Sequence, residues 1–555
     1  MEGRNHSSAA FIPAGSVSRM KEDLLKCSED LFVGYQPRCA IRERPAGKKP
    51  QVCVIGAGLA GLRCAEVLLD GGAEVTIMEA RDRIGGRIHQ KNLNGQALDM
   101  GPNWIHGTDD NPVWKLAKKK ASLCVVPDTM KVFQPNGEIM SDKDAESGLE
   151  TVWDLIEQAF KYSNEECLKI NSTQTLVHWF HDKLKERPLS EEQRARVLLL
   201  AEMWGSFIGD SWHRQSLRWF WLEECLEGEN LYVMENHAPI IQHVASRVLD
   251  RARVRLSTKV VSIENYPERQ DLAVPVDPKD PRVAIRTDEG VLEFDEVVVA
   301  VPLGCLQQST TQFHPPLPSN IETAISNASY SSLEKVYITF PAAFWDTPGA
   351  IFPAFAHFLN AESYVPAFQK HSSIEMLPLS SPAVFGPHAK PTLLIYTHDP
   401  LAKQVCDLIR GVDPSSQAYY TRLNDFFKPY YSLLPNYDQN SPECTPSGFL
   451  ATDWHGDDLA GNGSYTNFQA SDSHDQGEHI QLDEGVRVIR TGIPERGVWF
   501  AGEHTAPFVG LGTTTGAYWS GEMAAFKVLG ANGLVPVPAM DVLAREKEEA
   551  SQHEP

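Results

Sequence analysis

The chain has 555 residues, too many for one small domain at roughly 100–200 residues each. Apolar residues make up 42% and charged residues 22%, a globular balance that excludes a wholly disordered or collagen-like chain. Lys and Arg number 51 against 73 Asp and Glu, a net charge of −22, which makes nucleic acid and anionic membranes poor partners and cationic molecules better ones.

No apolar run reaches the roughly 18 residues of a membrane span. The 10 cysteines are scattered without C-x-x-C spacing, which reads as reduced thiols in an intracellular protein. The first residues lack an uninterrupted apolar segment, so no signal peptide is expected. The closing His-Glu-Pro is no peroxisomal address. A cytoplasmic protein is expected.

Residues 1–48 mix polar, proline and basic residues and read as a partly ordered arm. Gln51–Ile55 is a short apolar run, and Leu59–Asp70 carries a helical stripe through Leu62, Ala65, Leu68 and Leu69. Gly71-Gly72 ends that helix, and Glu74–Glu79 alternates as a strand, completing a β-α-β unit. From about 111 to 245 the pattern is mainly helical. Helices are predicted over Glu150–Lys161 and Ser190–Trp204, the second with a Ser190/Gln193 capping box. Residues 265–282, rich in proline and charge, read as a surface loop. Val297–Val301 reads as a strand covered on both faces. Lys335–Phe340 reads as another strand, and 341–390 as irregular. Asp413-Pro414 is expected to open a helix. Val498–Ala501 is predicted as a strand and Thr514–Leu529 as a helix, with a charged tail over 536–555. No internal repeat is seen.

The strongest local signal is Gly56-x-Gly58-x-x-Gly61, placed between a strand and a helix. Gly56 permits the tight turn, Gly58 lets the backbone approach a pyrophosphate, and Gly61 lets helix and strand pack closely. The helix N-terminus supplies free N–H groups and partial positive charge. Glu79, 23 residues after Gly56, suits a ribose hydroxyl and repels a 2′-phosphate, favouring FAD or NAD over NADP. Arg81-Asp82-Arg83-Ile84-Gly85-Gly86-Arg87 follows, where Gly86 exposes backbone donors and Arg81 and Arg87 suit pyrophosphate oxygens.

More than 400 residues later comes Phe500-Ala501-Gly502-Glu503-His504-Thr505, before a Gly/Thr-rich helix start. The pairing of these motifs resembles the flavin-containing amine oxidase family, nearest its polyamine and spermine oxidases. The likeness is best over residues 50–110, 230–340 and 445–530. It implies that Glu503 binds a ribityl hydroxyl and that Thr514 and Thr515 face the flavin edge. It groups Val261 with the cofactor-binding positions.

The resemblance also implies a reaction centre. Gly101-Pro102-Asn103-Trp104-Ile105-His106-Gly107 is similar to the family loop that passes the flavin, so Gly101, Asn103 and Trp104 would line the cofactor. His106 would then enter the substrate channel, where a neutral imidazole can accept from an amine N–H. Lys335 matches the family lysine that reaches flavin N5 through a water, with a pKa lowered by desolvation. Trp454 would pack on the flavin rim, and Tyr465 would wall an aromatic cage before the ring. Trp454 and Tyr465 stand one residue further apart than is usual in the family. Ser464 replaces the cysteine that carries the flavin in monoamine oxidases, so FAD is expected to be noncovalent. Thr513 replaces the second aromatic wall, opening the cage to larger secondary amines. Glu223, Glu224, Glu227 and Glu229 precede a stretch the family places near the channel, and Glu224 is the candidate for a distal ammonium.

The fold expected is α/β: a Rossmann-like FAD-binding domain interleaved with an α+β substrate domain. The FAD-binding pieces are placed at 49–115, 236–330 and 445–535, and the substrate pieces at 116–235 and 331–444. The function implied is oxidation of an amine C–N bond, with hydride passing to flavin N5, then imine hydrolysis and reoxidation by molecular oxygen to peroxide. A small cationic amine is the expected partner, with no metal. The alternatives are an L-amino-acid oxidase, a histone-demethylase-like amine oxidase, and a flavoprotein retained as a binding module.

Overall fold

The computed structural model describes residues 42, 47–265, 283–347, 351–359, 373–472 and 480–534. Most of the expected N-terminal arm, residues 266–282 of the expected surface loop, and the charged tail lie outside the described residues. Two compact units divide the chain. One contains Arg87–Ile240 and Asn327–Leu482; the other contains the stretch up to Gly86, Ile241–Ser326 and the stretch from Asp483. Residues 87–115 and 445–482 thus belong to the first unit.

The second unit is built on the β-α-β pattern. Gln51–Ile55, Leu59–Asp70 and Glu74–Met78 form strand, helix and strand. A five-stranded sheet runs in the order Val498–Phe500, Glu296–Val299, Gln51–Ile55, Glu74–Met78, Arg253–Arg255. Every pairing in it is parallel. Glu296–Val299 is buried along its whole length, as a strand covered on both faces must be. Helix Thr514–Ala531 crosses helix Leu59–Asp70 closely: a Cβ on Gly521 would lie 2.3 Å from the Ala60 carbonyl oxygen. The buried Arg63 guanidinium donates to Glu522 across that crossing and to Glu66 at 2.6 Å, so the charge is matched where it is desolvated. A second sheet carries Gly290–Phe294, Val283–Thr287, Val260–Asn265 and Phe313–His314.

The first unit holds a six-stranded sheet in the order Gly448–Ala451, Leu333–Thr339, Thr392–His398, Ile374–Pro378, Phe355–Phe358, Met130–Phe133. Only the last pairing is parallel. Strand alternation sorts its side chains. Val336, Ile338, Ile395, Met376 and Phe358 join one apolar core, which also takes residues of helices Leu401–Ile409 and Gln417–Tyr431. Tyr337, Leu394, Tyr396 and Leu377 join the core on the opposite face. Helices Asp142–Glu166, Leu176–Lys185 and Glu191–Ala201 share a third core.

Glu150–Lys161 proves to be the middle of Asp142–Glu166, capped by Ser141. The Ser190/Gln193 capping box is present. The helical stretch from 111 to 245 also contains strands Leu123–Cys124, Met130–Phe133 and Leu231–Val233. Residues 341–390 are not irregular throughout. They contain Phe355–Phe358 and Ile374–Pro378, whose almost wholly buried side chains leave no alternation to recognise. The helix expected at Asp413 begins at Gln417, with Ser416 as its cap. The Asp413 carboxylate accepts from the Ser415 N–H and hydroxyl, both at 2.9 Å, and so makes a turn of its own. No described helix is long and apolar enough to cross a membrane.

Candidate active site

The cofactor signature lies in the unit with the parallel sheet. Gly56 has φ +107°, and a Cβ there would sit 2.6 Å from the Ala300 carbonyl oxygen, so only glycine makes this turn. A Cβ on Gly61 would sit 2.0 Å from the Gly56 oxygen, which is the close helix–strand packing the motif predicts. Gly58 differs: nothing lies within 4 Å of the place its Cβ would take. It caps helix Leu59–Asp70 without a side-chain hydrogen bond, leaving a cradle beside the helix N-terminus. Glu79 is buried, with one carboxylate oxygen accepting from the Ala57 N–H at 2.7 Å and the other from the Arg81 N–H at 2.8 Å. The carboxylate is therefore fixed at the strand end next to the glycine turn. These residues fit a dinucleotide.

Other expected cofactor residues occupy this unit. Gly86 has φ +56° and adjoins the Gly58 backbone. Val261 stands at the register shift between Val260 and Ser262 and is 48% exposed. Glu503 is buried on the turn Glu503–Thr505, which follows the strand Val498–Phe500. Thr513 caps helix Thr514–Ala531: its hydroxyl accepts from the Gly516 N–H at 2.9 Å and donates to the Gly510 oxygen at 2.8 Å. Thr514 and Thr515 open that helix.

The expected amine-handling residues lie in the other unit. Lys335 is 4% exposed, in a strand whose next residue on the same face is Tyr337. Its ammonium donates to the Asp99 oxygen at 2.6 Å, the Asn103 side-chain oxygen at 2.8 Å, and the Gly101 oxygen. All three N–H groups therefore hold the loop 99–103. The resemblance implies that this lysine reaches flavin N5 through a water; its partners among the described residues are these three loop oxygens. Burial lowers its pKa to about 7, against the opposing pull of Asp99 and Glu334.

The rest of the loop is gripped as firmly. Tyr337 donates to the Asp99 oxygen at 2.7 Å, and Trp454 donates to the Met100 oxygen at 3.1 Å. Asn103 donates to Tyr337 at 3.1 Å and accepts from Tyr396 at 3.1 Å, while Trp104 donates to Tyr396 at 3.1 Å. The buried Asp99 carboxylate is paired with His237 Nδ1 at 2.8 Å. A Cβ on Gly101 would overlap the Arg87 carbonyl oxygen at 1.9 Å. Arg87 itself donates to the Ser464 oxygen at 2.5 Å and to Tyr330 at 3.2 Å. Loss of solvent lowers His106 to about 4, against a hydrogen bond with Asn230, so its imidazole is neutral at pH 7.

Tyr465 lies on the short strand Tyr465–Asn467 and donates to the Phe207 oxygen at 3.0 Å. The Ser464 hydroxyl accepts from the Leu333 N–H at 3.0 Å and donates to the Leu333 oxygen at 2.9 Å. Of the four glutamates, Glu224 is buried, Glu223 is partly buried, and Glu227 and Glu229 are exposed. Burial pushes Glu223 up to about 8, offset in part by hydrogen bonds from Phe468 and Gln215. Sequence reasoning missed Asp99, Tyr337, Tyr396 and His237. Only Tyr337 carried a signal, its two-residue spacing from Lys335 on a strand.

The chain resembles known proteins throughout. It is 25% identical over 505 residues to polyamine oxidase 3 of Oryza sativa subsp. japonica, a match covering 86% of this chain and 88% of that protein. It is 29% identical over 321 residues to probable polyamine oxidase 4 of Arabidopsis thaliana, covering 54% of this chain and 59% of that relative's length. The solved structure of cyclohexylamine oxidase from Brevibacterium oxydans superposes with a TM-score of 0.60 at 19% identity, over 87% of this chain and 99% of that one. That likeness concerns the fold alone, which is of mixed α/β type. The flavin containing amine oxidoreductase family matches residues 59–529, and the chain belongs to that family, with FAD as its cofactor.

Proposed function

We propose that this protein oxidises a C–N bond of a polyamine of the spermine, spermidine or acetylated type. The observation that carries this reading is the buried Lys335, tied to Asp99, Gly101 and Asn103 on the loop that leads to His106. Bound FAD supplies hydride acceptance from the carbon next to the amine nitrogen, with oxygen as final acceptor and hydrogen peroxide as product. Gly56, Gly58, Gly61, Glu79 and Arg81 hold its adenosine and pyrophosphate, with the Val261 backbone and Glu503 as further contacts. Thr514 and Thr515 present the N-terminus of their helix.

On the amine side, Lys335 fixes the loop through Gly101 and Asn103, so that Trp104 and His106 keep one geometry. The neutral His106 accepts from the substrate N–H. Tyr465, held by Phe207, walls the amine, and Trp454 flanks the ring. Thr513, with its hydroxyl spent on capping, offers small bulk where monoamine oxidases have an aromatic ring. Glu224, inside the protein rather than on its surface, attracts a distal cation. The Ser464 hydroxyl, engaged with Leu333, leaves the cofactor noncovalent. A cytoplasmic location fits the sequence.

The test is a peroxide-release screen across spermine, spermidine, their acetylated forms, benzylamine and L-amino acids. Spermine-type substrates are expected to give the highest kcat/KM. Preference for L-amino acids would establish the amino-acid oxidase reading instead.

A further inference from the structure

Strand pairing draws four ionisable residues into one line across the six-stranded sheet. His357 is opposite Glu375, Glu375 is opposite Tyr396, and Tyr396 is opposite Lys335. Directly opposed residues point to the same face, with Cβ atoms about 5 Å apart. This is the face of the site loop, because Trp104 of that loop donates to Tyr396. With strands about 4.8 Å apart, Glu375 stands roughly 10 Å from Lys335 along the line, and His357 one strand further.

The two ends of the line differ. At the Lys335 end every donor is met, and Tyr396 is bonded to both Asn103 and Trp104. At the far end acceptors are in excess. Among the described residues no hydrogen-bond donor reaches the Glu375 carboxylate, and its nearest basic group is His357 Nδ1 at 3.9 Å. His357 Nε2 has no hydrogen-bond partner among the described residues, although the side chain is only 1% exposed. Its ring is held against Phe355, 6.1 Å away between centroids and nearly parallel. Glu375 keeps 12% of its side chain exposed, so the pair is buried without being sealed.

A buried imidazole nitrogen left without a partner is costly, and the Glu375 carboxylate beside it keeps only slight access to solvent. Burial alone pushes Glu375 up to about 7 and His357 down to about 3, the shifts of groups with no compensating cation nearby. A carboxylate oxygen beside a neutral imidazole nitrogen matches a group with positive charge and two N–H donors. A primary or secondary ammonium is such a group.

We propose that Glu375 and His357 bind the second, non-reacting ammonium of the substrate, leaving Glu224 for a more distal one, and so select amines with two or more nitrogens. This rests on the polyamine reading above. An extended aliphatic diamine spans the distance from the Lys335 end of the line to Glu375. Glu375 supplies charge, and His357 accepts the second N–H.

The experiment uses the full flavin-loaded enzyme and follows peroxide release from a diamine, from spermine, and from the monoamine of the same chain length. In Glu375→Gln, the ratio of kcat/KM for the diamine over the monoamine is expected to fall at least tenfold, through KM rather than kcat. Glu375→Asp, which keeps the charge but retracts it, is expected to fall between. A ratio within twofold of wild type in flavin-loaded Glu375→Gln overturns the proposal and leaves the polyamine reading standing. If Glu375→Gln does not retain flavin, Glu375→Asp and His357→Gln decide by the same ratio. A wild-type enzyme that oxidises the monoamine but neither the diamine nor spermine overturns both.

Discussion

The Lys335 ammonium meets the Asn103 side-chain oxygen at 2.8 Å, and the same oxygen accepts from Tyr396 at 3.1 Å. One neutral amide thereby joins a buried cation to two tyrosines, since Asn103 also donates to Tyr337. Replacing it with leucine keeps the volume and removes the acceptor. Hydrogen bonds to charged groups contribute about 1.5–3 kcal/mol each. Asn103→Leu is therefore expected to lower the unfolding free energy by about 2–3 kcal/mol, read as a lower denaturant midpoint. An unmoved midpoint would show that the network is not holding the loop.

Lys335→Met addresses the same network from the cation. Flavin reduction or reoxidation is expected to slow by well over tenfold while bound FAD is retained. An unchanged rate removes Lys335 from the mechanism.

The Lys335 pKa, lowered from 10.5 to about 7, also sets a stability window. Between those values the unfolded chain binds more protons than the folded one, so stability rises with pH. The burial penalty is felt in full below about pH 7 and is relieved toward 10.5. Unfolding measured across that range is expected to show a steeper rise for wild type than for Lys335→Met. Parallel curves would mean that the lysine titrates normally in the folded protein.

The two glycines at the helix start separate folding from cofactor binding. In Gly56→Ala the new Cβ meets a carbonyl oxygen at 2.6 Å at a positive φ, so the apoprotein is destabilised. In Gly58→Ala the Cβ meets nothing within 4 Å, so the apoprotein keeps its Tm. Its methyl instead enters the cradle expected to take the pyrophosphate, and FAD affinity is expected to fall at least tenfold. Equal Tm losses for the two variants would refute this division.

The Ser464 hydroxyl is doubly bonded into the Leu333 backbone, and serine is no partner for a flavin thioether. Acid precipitation is therefore expected to release all of the flavin into the supernatant. Yellow colour remaining in the washed pellet would contradict a noncovalent cofactor.

Much of the dinucleotide end was legible from the chain. Gln51–Ile55, Leu59–Asp70 and the glycines between them are local features, visible as periodicity and turn chemistry within some thirty residues. Ser190 announces its helix for the same reason. Asp413 misled because an aspartate caps a turn as readily as a helix, and only the backbone that follows decides between them.

Residue order alone settles the β-α-β unit, its glycine turn, and membership in a flavin amine oxidoreductase family, because these depend on neighbours along the chain. Folding decides what surrounds Lys335. Asp99, Asn103, Tyr396 and Glu375 reach it or line up with it through strand register and loop path, across separations of up to 236 residues. No periodicity encodes such a register, and the desolvation that shifts these groups exists only once the sheet and loop have closed over them.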